Sequence, residues 1–224
     1  MKPRLKLCGI LSRPEGIPLS PHELAVHVAT AIAERQPRVV AIVGPPATGK
    51  SSLCERLSAA SGGAYTSLAE ESWLVPRQRR LEERMSGLTE SAFNLKEMSE
   101  CLAALPEGRE CRVAHYDHRR GETAWSVSVT AASTYLLDGS MWLHPMVKSQ
   151  PDVIVLVLPS SPWSWRSSMQ TRDRVIRGYS REDAHRNCRL YVRDWRHVQS
   201  RTRCAHLRIT VIYHGIVPRY QVAK

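Results

Sequence analysis

The chain has 224 residues, of which 42% are hydrophobic and 24% charged, an ordinary composition for one globular domain with a substantial core. No apolar run approaches the roughly 18 residues that a membrane-spanning helix needs, so we expect no membrane partner. The formal net charge of +11 is unevenly spread: residues 166–224 hold 14 basic and 4 acidic side chains, whereas residues 1–165 hold 18 and 17. The positive charge is therefore a feature of the last quarter of the chain.

Arginine dominates this charge, with 26 Arg against 6 Lys. The planar fork of donors on a guanidinium suits phosphate, so the pattern favours either a phosphate-handling segment or a nucleic-acid surface. Solvated faces of helices would give the same composition and stay open as a third interpretation.

Cysteine spacing and the N-terminal residues bear on the compartment. The six cysteines are scattered, with neither zinc-site nor disulfide-framework spacing, and residues 1–18 lack the continuous apolar segment of a secretory signal. We therefore predict a cytoplasmic protein with reduced thiols. Four basic residues precede the first acidic one, Glu15, so an organellar address stays open.

The first elements in chain order are a helix and a buried strand. Ser20 to Glu23 has the form of a capping box with proline at the first helical position, which predicts a helix ending near Arg35. Residues 39–43 are then a continuous apolar run rich in β-branched side chains, typical of a strand buried on both faces of a parallel sheet.

Later segments alternate between strand and helix patterns. Strand-like runs occupy residues 135–137, 153–158 and 207–213; helical patterns occupy 51–60, 95–105 and 162–176, and a second capping box begins another helix at Ser180. This order predicts a doubly wound α/β fold in a single domain, residues 1–224, with an N-terminal helical extension over about 1–36. Segments 112–116 and 125–129 alternate around Gly121 and predict an inserted hairpin.

The strongest motif directly follows the first strand. Residues 44–51 read Gly-Pro-Pro-Ala-Thr-Gly-Lys-Ser, a full match to the phosphate-binding loop G-x-x-x-x-G-K-[ST]. In such a loop the backbone N–H groups wrap a polyphosphate, the lysine reaches the β- and γ-phosphates, and the hydroxyl contributes to Mg²⁺. The predicted ATP-binding residues here are Gly44, Pro45, Ala47, Thr48, Gly49, Lys50, Ser51 and Ser52.

The class of P-loop protein must come from other segments. The chain has no N-K-x-D motif, which disfavours a GTPase, and its length leaves little room for a motor. With the loop in place, residues 39–196 resemble the uridine kinase and phosphoribulokinase-like family. The resemblance is carried in order by Leu68 to Trp73, Ser91 to Leu95, Tyr116 to His118, Leu137 to Gly139, and the lid-like pattern R-D-x-x-x-R-G over Arg172 to Gly178.

The resemblance implies a P-loop NTPase fold with a parallel sheet flanked by helices and an arginine-bearing lid over about residues 162–182. It also implies ATP and Mg²⁺ as cofactors and the hydroxyl of a small molecule, such as a nucleoside, sugar or related alcohol, as acceptor. The catalytic residues it implies are Lys50, Glu71, Arg172 and Arg177, of which the two arginines also contact ATP. The metal ligands it implies are Ser51, Asp138 and Glu71, and the substrate-binding residues are Trp73, Phe93, Tyr116 and Asp117.

Some positions depart from the family pattern. Glu71 stands where the family has an aspartate, and Ser91 and Asn94 replace its carboxylates. Three hypotheses follow: a kinase for a small metabolite, an ATP-binding regulatory protein that transfers nothing, and a P-loop protein acting on nucleic acid through its basic tail. We favour the kinase and disfavour nucleic acid, because no recognised RNA or DNA module accompanies the tail; the acceptor and the oligomeric state stay open.

Overall fold

The apolar runs of the sequence form one central sheet in the computed structural model, which describes residues 18–129, 132–147, 151–214 and 217–223. The strands are β1 (Val39–Val43), β2 (Tyr65–Ala69), β3 (Cys111–Asp117), β4 (Glu122–Val129), β5 (Thr134–Asp138), β6 (Val153–Pro159), β7 (Leu207–His214) and β8 (Val217–Ala223). The helices are α1 (Pro21–Ala33), α2 (Lys50–Ala60), α3 (Arg77–Glu82), α4 (Leu95–Ala104), α5 (Pro162–Val175) and α6 (Arg181–Gln199).

The sheet has the order β2-β5-β1-β6-β7-β8, and all neighbouring pairs are parallel except β7 with β8. Strand β1 lies between β5 and β6, and its residues Val40 to Val43 are fully buried, as its continuous apolar run predicts. The carboxyl ends of β1, β2, β5 and β6 therefore meet at one edge of the sheet, where ligands of such folds bind.

Helices cover both faces of the sheet. Helices α1 and α2 pack through residues such as Val28 and Leu57 against one face, while α4, α5 and α6 pack through Met98, Met169 and Val198 against the other. This confirms the doubly wound α/β prediction. Helices α5 and α6 also account for part of the basic C-terminal charge, since both helices expose arginines on their outer faces.

The predicted N-terminal helix is confirmed, together with its capping box. The Ser20 hydroxyl accepts the N–H of Glu23 (3.3 Å), and the Ser20 N–H donates to Glu23 Oε2 (2.8 Å). The rest of the predicted extension, residues 1–17, lies outside the described residues. Strand β8 had no counterpart among the predicted strands. It contains Pro218, which an edge strand tolerates because one side of its backbone needs no ladder partner.

The predicted hairpin is confirmed as β3 and β4, which pair antiparallel in a separate two-stranded sheet. Its outer strand is largely exposed, with the Trp125 ring stacked on His115 at 4.7 Å between centroids. The hairpin turn is fixed to the start of α3, because the N–H of Arg77 donates to Gly121 O (2.7 Å). The hairpin thereby reaches the edge of the sheet where the strands end.

The prediction that the chain has no disulfide is wrong for one pair. Cys101 of α4 and Cys111 of β3 are bonded, with their Cα atoms 5.4 Å apart. The pair matches no framework spacing, because it is the packing of α4 against the hairpin that brings the two residues together. Cys54 is a free thiol buried in the core, and Cys188 and Cys204 are also free thiols. None of the described helices is long and apolar enough to cross a membrane.

Candidate active site

The loop between β1 and α2 has the geometry of a phosphate cradle. Gly44 has a φ of +154°, and a Cβ at this position would lie 2.1 Å from the carbonyl oxygen of Val157, so the backbone leaves room for glycine only. Gly49, with a φ of +86°, is the N-cap of α2, and among the described residues no side chain caps that helix end. The first amides of α2 and the positive end of its dipole are thus directed to an anion.

Side chains from the last third of the chain brace this loop from outside. Trp165 Nε1 donates to Pro46 O (2.8 Å), and the Tyr213 hydroxyl donates to Ala47 O. The Tyr220 hydroxyl lies so close to Gly49 that a Cβ there would be 2.9 Å from its oxygen. These contacts fix the carbonyl groups of Pro46 and Ala47 and so hold the loop in one conformation.

A lysine, a hydroxyl and a carboxylate meet beside the loop. Lys50 Nζ donates to Pro45 O (3.1 Å), and Ser51 hydrogen-bonds Asp138, the last residue of β5, which is paired in register with Ile42 of β1. Burial raises the pKa of Asp138 to about 6, although Lys50 and Ser51 act in the opposite direction. Mg²⁺ typically takes one or two carboxylates plus phosphate oxygens and water, so this donor set fits it. The described residues contain no denser group of His, Cys, Asp and Glu that would suit another metal.

The two adjacent glutamates after β2 have opposite environments. Glu70 is buried, accepts the N–H of Met141 at Oε2 (2.6 Å) and packs against Gly139, where a Cβ would lie 2.1 Å from its Cδ. Burial and the charge of Glu71 raise the pKa of Glu70 well above its usual value. For Glu71, burial also acts to raise the pKa, but Arg177, His118 and Lys50 together outweigh it and lower the pKa. Glu71 is therefore the glutamate that is ionised at neutral pH.

Glu71 faces the lid and the hairpin. Arg177 Nη2 lies 3.9 Å from Glu71 Oε1 and 3.4 Å from Nε2 of His118, the residue that follows β3. Burial and the charge of Arg177 lower the pKa of His118 to about 4, although Glu71 acts to raise it. The imidazole is thus neutral at pH 7, and Nε2 accepts a hydrogen bond from the guanidinium.

The predicted lid is organised around one buried carboxylate. Asp173 is fully buried, and its Oδ1 accepts from both Nε and Nη2 of Arg172 (3.0 and 2.7 Å), while its Oδ2 accepts from Asn187 Nδ2 (2.7 Å). Arg177 Nη1 lies 3.8 Å from the same carboxylate. Asp173 therefore ties both lid arginines to α6, which explains why an aspartate stands between them in the pattern.

Three of the four predicted substrate-binding residues make other contacts in this structure, and their role in substrate binding stays a prediction. Trp73 and Phe93 are core residues, 7% and 8% exposed, and the Trp73 ring packs edge-on against Trp142. Asp117 accepts the backbone N–H groups of Arg119 (2.7 Å) and Arg120 (3.1 Å), so it shapes the hairpin turn. The sequence alone does not distinguish these roles, because a large aromatic residue or an aspartate in a turn is equally consistent with packing and with substrate recognition.

Tyr116, the fourth, lies beside the site, where it contacts residues that the sequence analysis missed. Its hydroxyl donates to Gly121 O (2.7 Å) and accepts from Arg80 Nη2 (3.0 Å), and its ring is 5.2 Å from that of His118. Arg77 and Arg80 were overlooked because α3 is short and carries no helical apolar pattern. His118 belongs to the segment Tyr116 to His118 that carries part of the family resemblance, and this segment is the sequence signal that could have identified it.

Comparisons with known proteins agree with the fold. The sequence profile of the Phosphoribulokinase / Uridine kinase family matches residues 39–214. No curated protein sequence matches the chain significantly. Among solved structures, the chain is similar to one named as a fructose transport system kinase from Silicibacter sp. TM1040, with a TM-score of 0.64 and 15% identity over 79% of this chain and 94% of that one.

Two further structures share the fold at similarly low identity. D-glycerate 3-kinase from Cryptococcus neoformans var. grubii has a TM-score of 0.63 and 13% identity, covering 89% of this chain and 99% of that one. Phosphoribulokinase from Rhodobacter spheroides has a TM-score of 0.54 and 18% identity, covering 80% and 72%. The profile match, the parallel sheet and the phosphate-binding loop lead to one conclusion: this chain belongs to the phosphoribulokinase/uridine kinase family, ATP-dependent kinases of small molecules.

Proposed function

We propose that the protein transfers the γ-phosphoryl group of ATP, with Mg²⁺, to a hydroxyl group of a small metabolite. The observation that carries the proposal is the position of Glu71: an ionised carboxylate, 3.9 Å from a lid arginine, at the same sheet edge as the phosphate-binding loop. A carboxylate in that position can receive a proton from an acceptor hydroxyl. The regulatory alternative predicts ATP binding without transfer and is separated by experiment below.

On the donor side, the proposed ATP contacts are the loop amides and Lys50, with Arg172 and Arg177 from the lid. Lys50 comes to the β- and γ-phosphates by exchanging its hydrogen bond to Pro45 O for phosphate oxygens. The contacts that brace the loop keep its amides oriented before ATP binds, so little of the binding energy is lost to ordering.

Ser51 and Asp138 would hold Mg²⁺, and Glu71 lies close enough for its charge to act on the pKa of Asp138. When bound, the metal neutralises charge on the phosphate oxygens and aligns the group that is transferred. Metal binding favours the ionised form of Asp138, whose pKa is raised chiefly by burial.

On the acceptor side, Glu71 orients the hydroxyl and takes its proton. Arg177 contacts Glu71, His118 and Asp173, so a small shift brings it to the transferring group. There it would stabilise the charge that spreads over the equatorial oxygens and help to exclude water.

The test is an ADP-release screen of the purified protein against nucleosides, sugars, polyols, hydroxy acids and vitamins, with thermal unfolding measured with and without Mg²⁺-ATP. We expect one acceptor class to give turnover well above the ATPase background, and Lys50→Ala to abolish it. Stabilisation by ATP without turnover on any acceptor would instead favour the regulatory alternative. Neither turnover nor stabilisation would reject ATP binding altogether.

A further inference from the structure

The end of the chain carries positive charge that the proposed active site does not use. From residue 195 to residue 224 the sequence has six lysines and arginines and no aspartate or glutamate. The lid arginines, Arg172 and Arg177, precede this segment. A run of one charge is ordinarily a solvated surface, so its arrangement in the fold decides whether it has a further role.

Three of these arginines line one cavity. It has a volume of about 330 Å³ and is bordered by α6, by the turn that follows α6, and by strands β6 and β7. Of the residues that the structure describes, none from the loop 44–51 or from the predicted lid lines it, so the cavity is separate from the proposed ATP site. The lining residues that bear on its chemistry are Leu156, Leu158, Arg196, Gln199, Arg203 and Arg208.

The fold brings the three arginines together from two elements and the turn between them. Arg208 is the second residue of β7 and pairs with Leu156 of β6, so both side chains lie on the face of the sheet that α6 covers. Arg208 Nη2 donates to Arg203 O (3.3 Å), which holds the Arg208 side chain beside the end of α6. Arg196 lies in the last turn of that helix.

The positive charge of this cavity is not balanced by the protein. Among the described residues, none of the three guanidinium groups has a carboxylate partner, whereas Arg186 and Arg193 of α6 are paired with Asp183 and Asp194. The carboxyl end of a helix supplies only about half a negative charge, so α6 compensates little of it. A concave surface lined by one sign of charge attracts the opposite ion.

The lining residues indicate the chemistry of the ligand. A guanidinium presents a planar fork of donors that matches phosphate oxygens, and Gln199 adds an amide. Leu156 and Leu158 offer apolar contact to a carbon skeleton. One phosphate group carries about −1.5 to −2 charge at neutral pH, so one or two such groups balance three arginines. The cavity volume suits a small molecule, whereas a nucleic-acid strand follows an extended positive groove.

We propose that the cavity between α6 and β7 is a second ligand site, which binds a small molecule with one or two phosphate groups through Arg196, Arg203 and Arg208. The carbon part of the ligand packs on the two leucines of β6. The inference does not depend on the kinase proposal, because the residues that carry it belong neither to the ATP loop nor to the surroundings of Glu71.

The test is a titration of isotope-labelled protein, followed by NMR, with pyrophosphate, ribose 5-phosphate, ribose and citrate. Amide signals of residues 199–208 report binding in the cavity and those of residues 44–51 report binding at the ATP loop. The variants are Arg203→Met, Arg208→Met and the control Arg189→Met. Arg189 is exposed on α6 and does not line the cavity, so its substitution removes the same charge elsewhere. Melting temperatures show whether each variant is folded.

We expect pyrophosphate and ribose 5-phosphate to shift the signals of residues 199–208 equally in the wild type and in Arg189→Met. Ribose, which has no charge, and citrate, which has no phosphate, should bind far more weakly. Arg203→Met and Arg208→Met should each weaken the binding of both phosphate compounds roughly 10- to 100-fold, because charge-assisted hydrogen bonds are lost.

Four outcomes would overturn the inference. Signals of residues 199–208 that do not move at millimolar phosphate compound would reject the site, whether or not those of residues 44–51 move. Citrate that binds as tightly as pyrophosphate would reject phosphate recognition. An equal loss in Arg189→Met would show that only net charge matters. A short RNA or DNA strand that displaces pyrophosphate and binds more tightly, with a steep dependence on salt, would assign the arginines to a polymer.

Discussion

The donor side and the acceptor side of the reaction centre are built in different ways. The donor side, residues 44–51, is one continuous loop whose binding groups are backbone amides and a single lysine. The proposed acceptor side consists of Glu71, His118 and Arg177, side chains from three separate segments that are joined by contacts of 3.4 and 3.9 Å. A site made of backbone is encoded locally, whereas a site made of distant side chains exists only after folding.

The two sides also differ in how charge is balanced. On the donor side, Lys50 faces the buried carboxylates Asp138 and Glu70, whose pKa values burial raises. On the proposed acceptor side, Arg177 lowers the pKa of Glu71 against the effect of burial, and burial and Arg177 together lower the pKa of His118. The proposed donor side thus holds acidic groups that a metal ion would ionise, and the proposed base on the acceptor side is ionised in advance. The following predictions test this contrast.

The largest effect is expected on the donor side. Lys50→Ala should lower kcat/KM by at least about 10³-fold, because the charge that faces the β- and γ-phosphates is lost while the loop stays folded. The measurement is the steady-state rate together with the melting temperature. Lys96→Ala is the control, since Lys96 is 85% exposed on α4. Retained turnover in Lys50→Ala would show that ATP is bound elsewhere.

The next effect separates two neighbouring glutamates. Glu71→Gln should lower kcat by about 10²- to 10⁴-fold, because an amide cannot accept the proton. Glu70→Gln should change kcat only a few-fold, because the buried Glu70 carboxyl has a raised pKa and an amide can accept the Met141 N–H in the same way. Single-turnover rates measure the step directly. Equal losses of kcat in the two variants would contradict the assignment of Glu71 as the base.

Substitution of the lid arginine Arg177 should have a smaller effect on kcat, together with a change that NMR can detect. Arg177→Ala should lower kcat by about 10²-fold through loss of charge stabilisation. It should also raise the pKa of His118 from about 4 toward its ordinary value, since the charge of Arg177 is one of the causes that lower it. NMR titration of the imidazole measures this shift. The exposed Arg174, in the last turn of α5, is the control position. A His118 pKa that is the same in Arg177→Ala and in Arg174→Ala would contradict the contact.

A last prediction concerns stability and pH. The folded-state pKa of Asp138, about 6, exceeds the ordinary value of 3.8, so folding favours its neutral form. That stabilisation is present below about pH 3.8 and is lost as pH rises through 6. Asp138→Asn, without Mg²⁺ or nucleotide, should therefore gain up to about 3 kcal/mol of unfolding free energy at pH 8 and little at pH 4.

Urea unfolding at the two pH values measures the difference. The variant should also lose activity, because an amide binds Mg²⁺ more weakly than a carboxylate does. A gain in unfolding free energy that is the same at both pH values would show that ionisation of Asp138 does not destabilise the fold. The contrast between the donor and acceptor carboxylates would then fail.

Local features of the chain were predictable from sequence. The phosphate-binding loop, the capping box at Ser20 and the buried strand β1 each depend on residues within a few positions of one another, so their patterns survive without knowledge of the fold. The lid pattern belongs with them, because Arg172 and Arg177 both lie within four residues of Asp173 in the chain and contact its carboxylate. Strand β8 was missed because an edge strand needs neither an apolar run nor strict alternation.

Only the tertiary structure decided what the side chains of the acceptor side do. The family resemblance pointed to Glu71, but the lowered pKa of Glu71 depends on Arg177, which is far away in the chain, and the raised pKa of Glu70 depends on its burial against Gly139. Likewise, packing assigned Trp73 to the core and joined Cys101 to Cys111. The sequence determines a site that is made of backbone groups, because the hydrogen bonding of such a site is local. The burial of a side chain and the electrostatic potential at it depend on the whole fold, so no single segment of the sequence contains them.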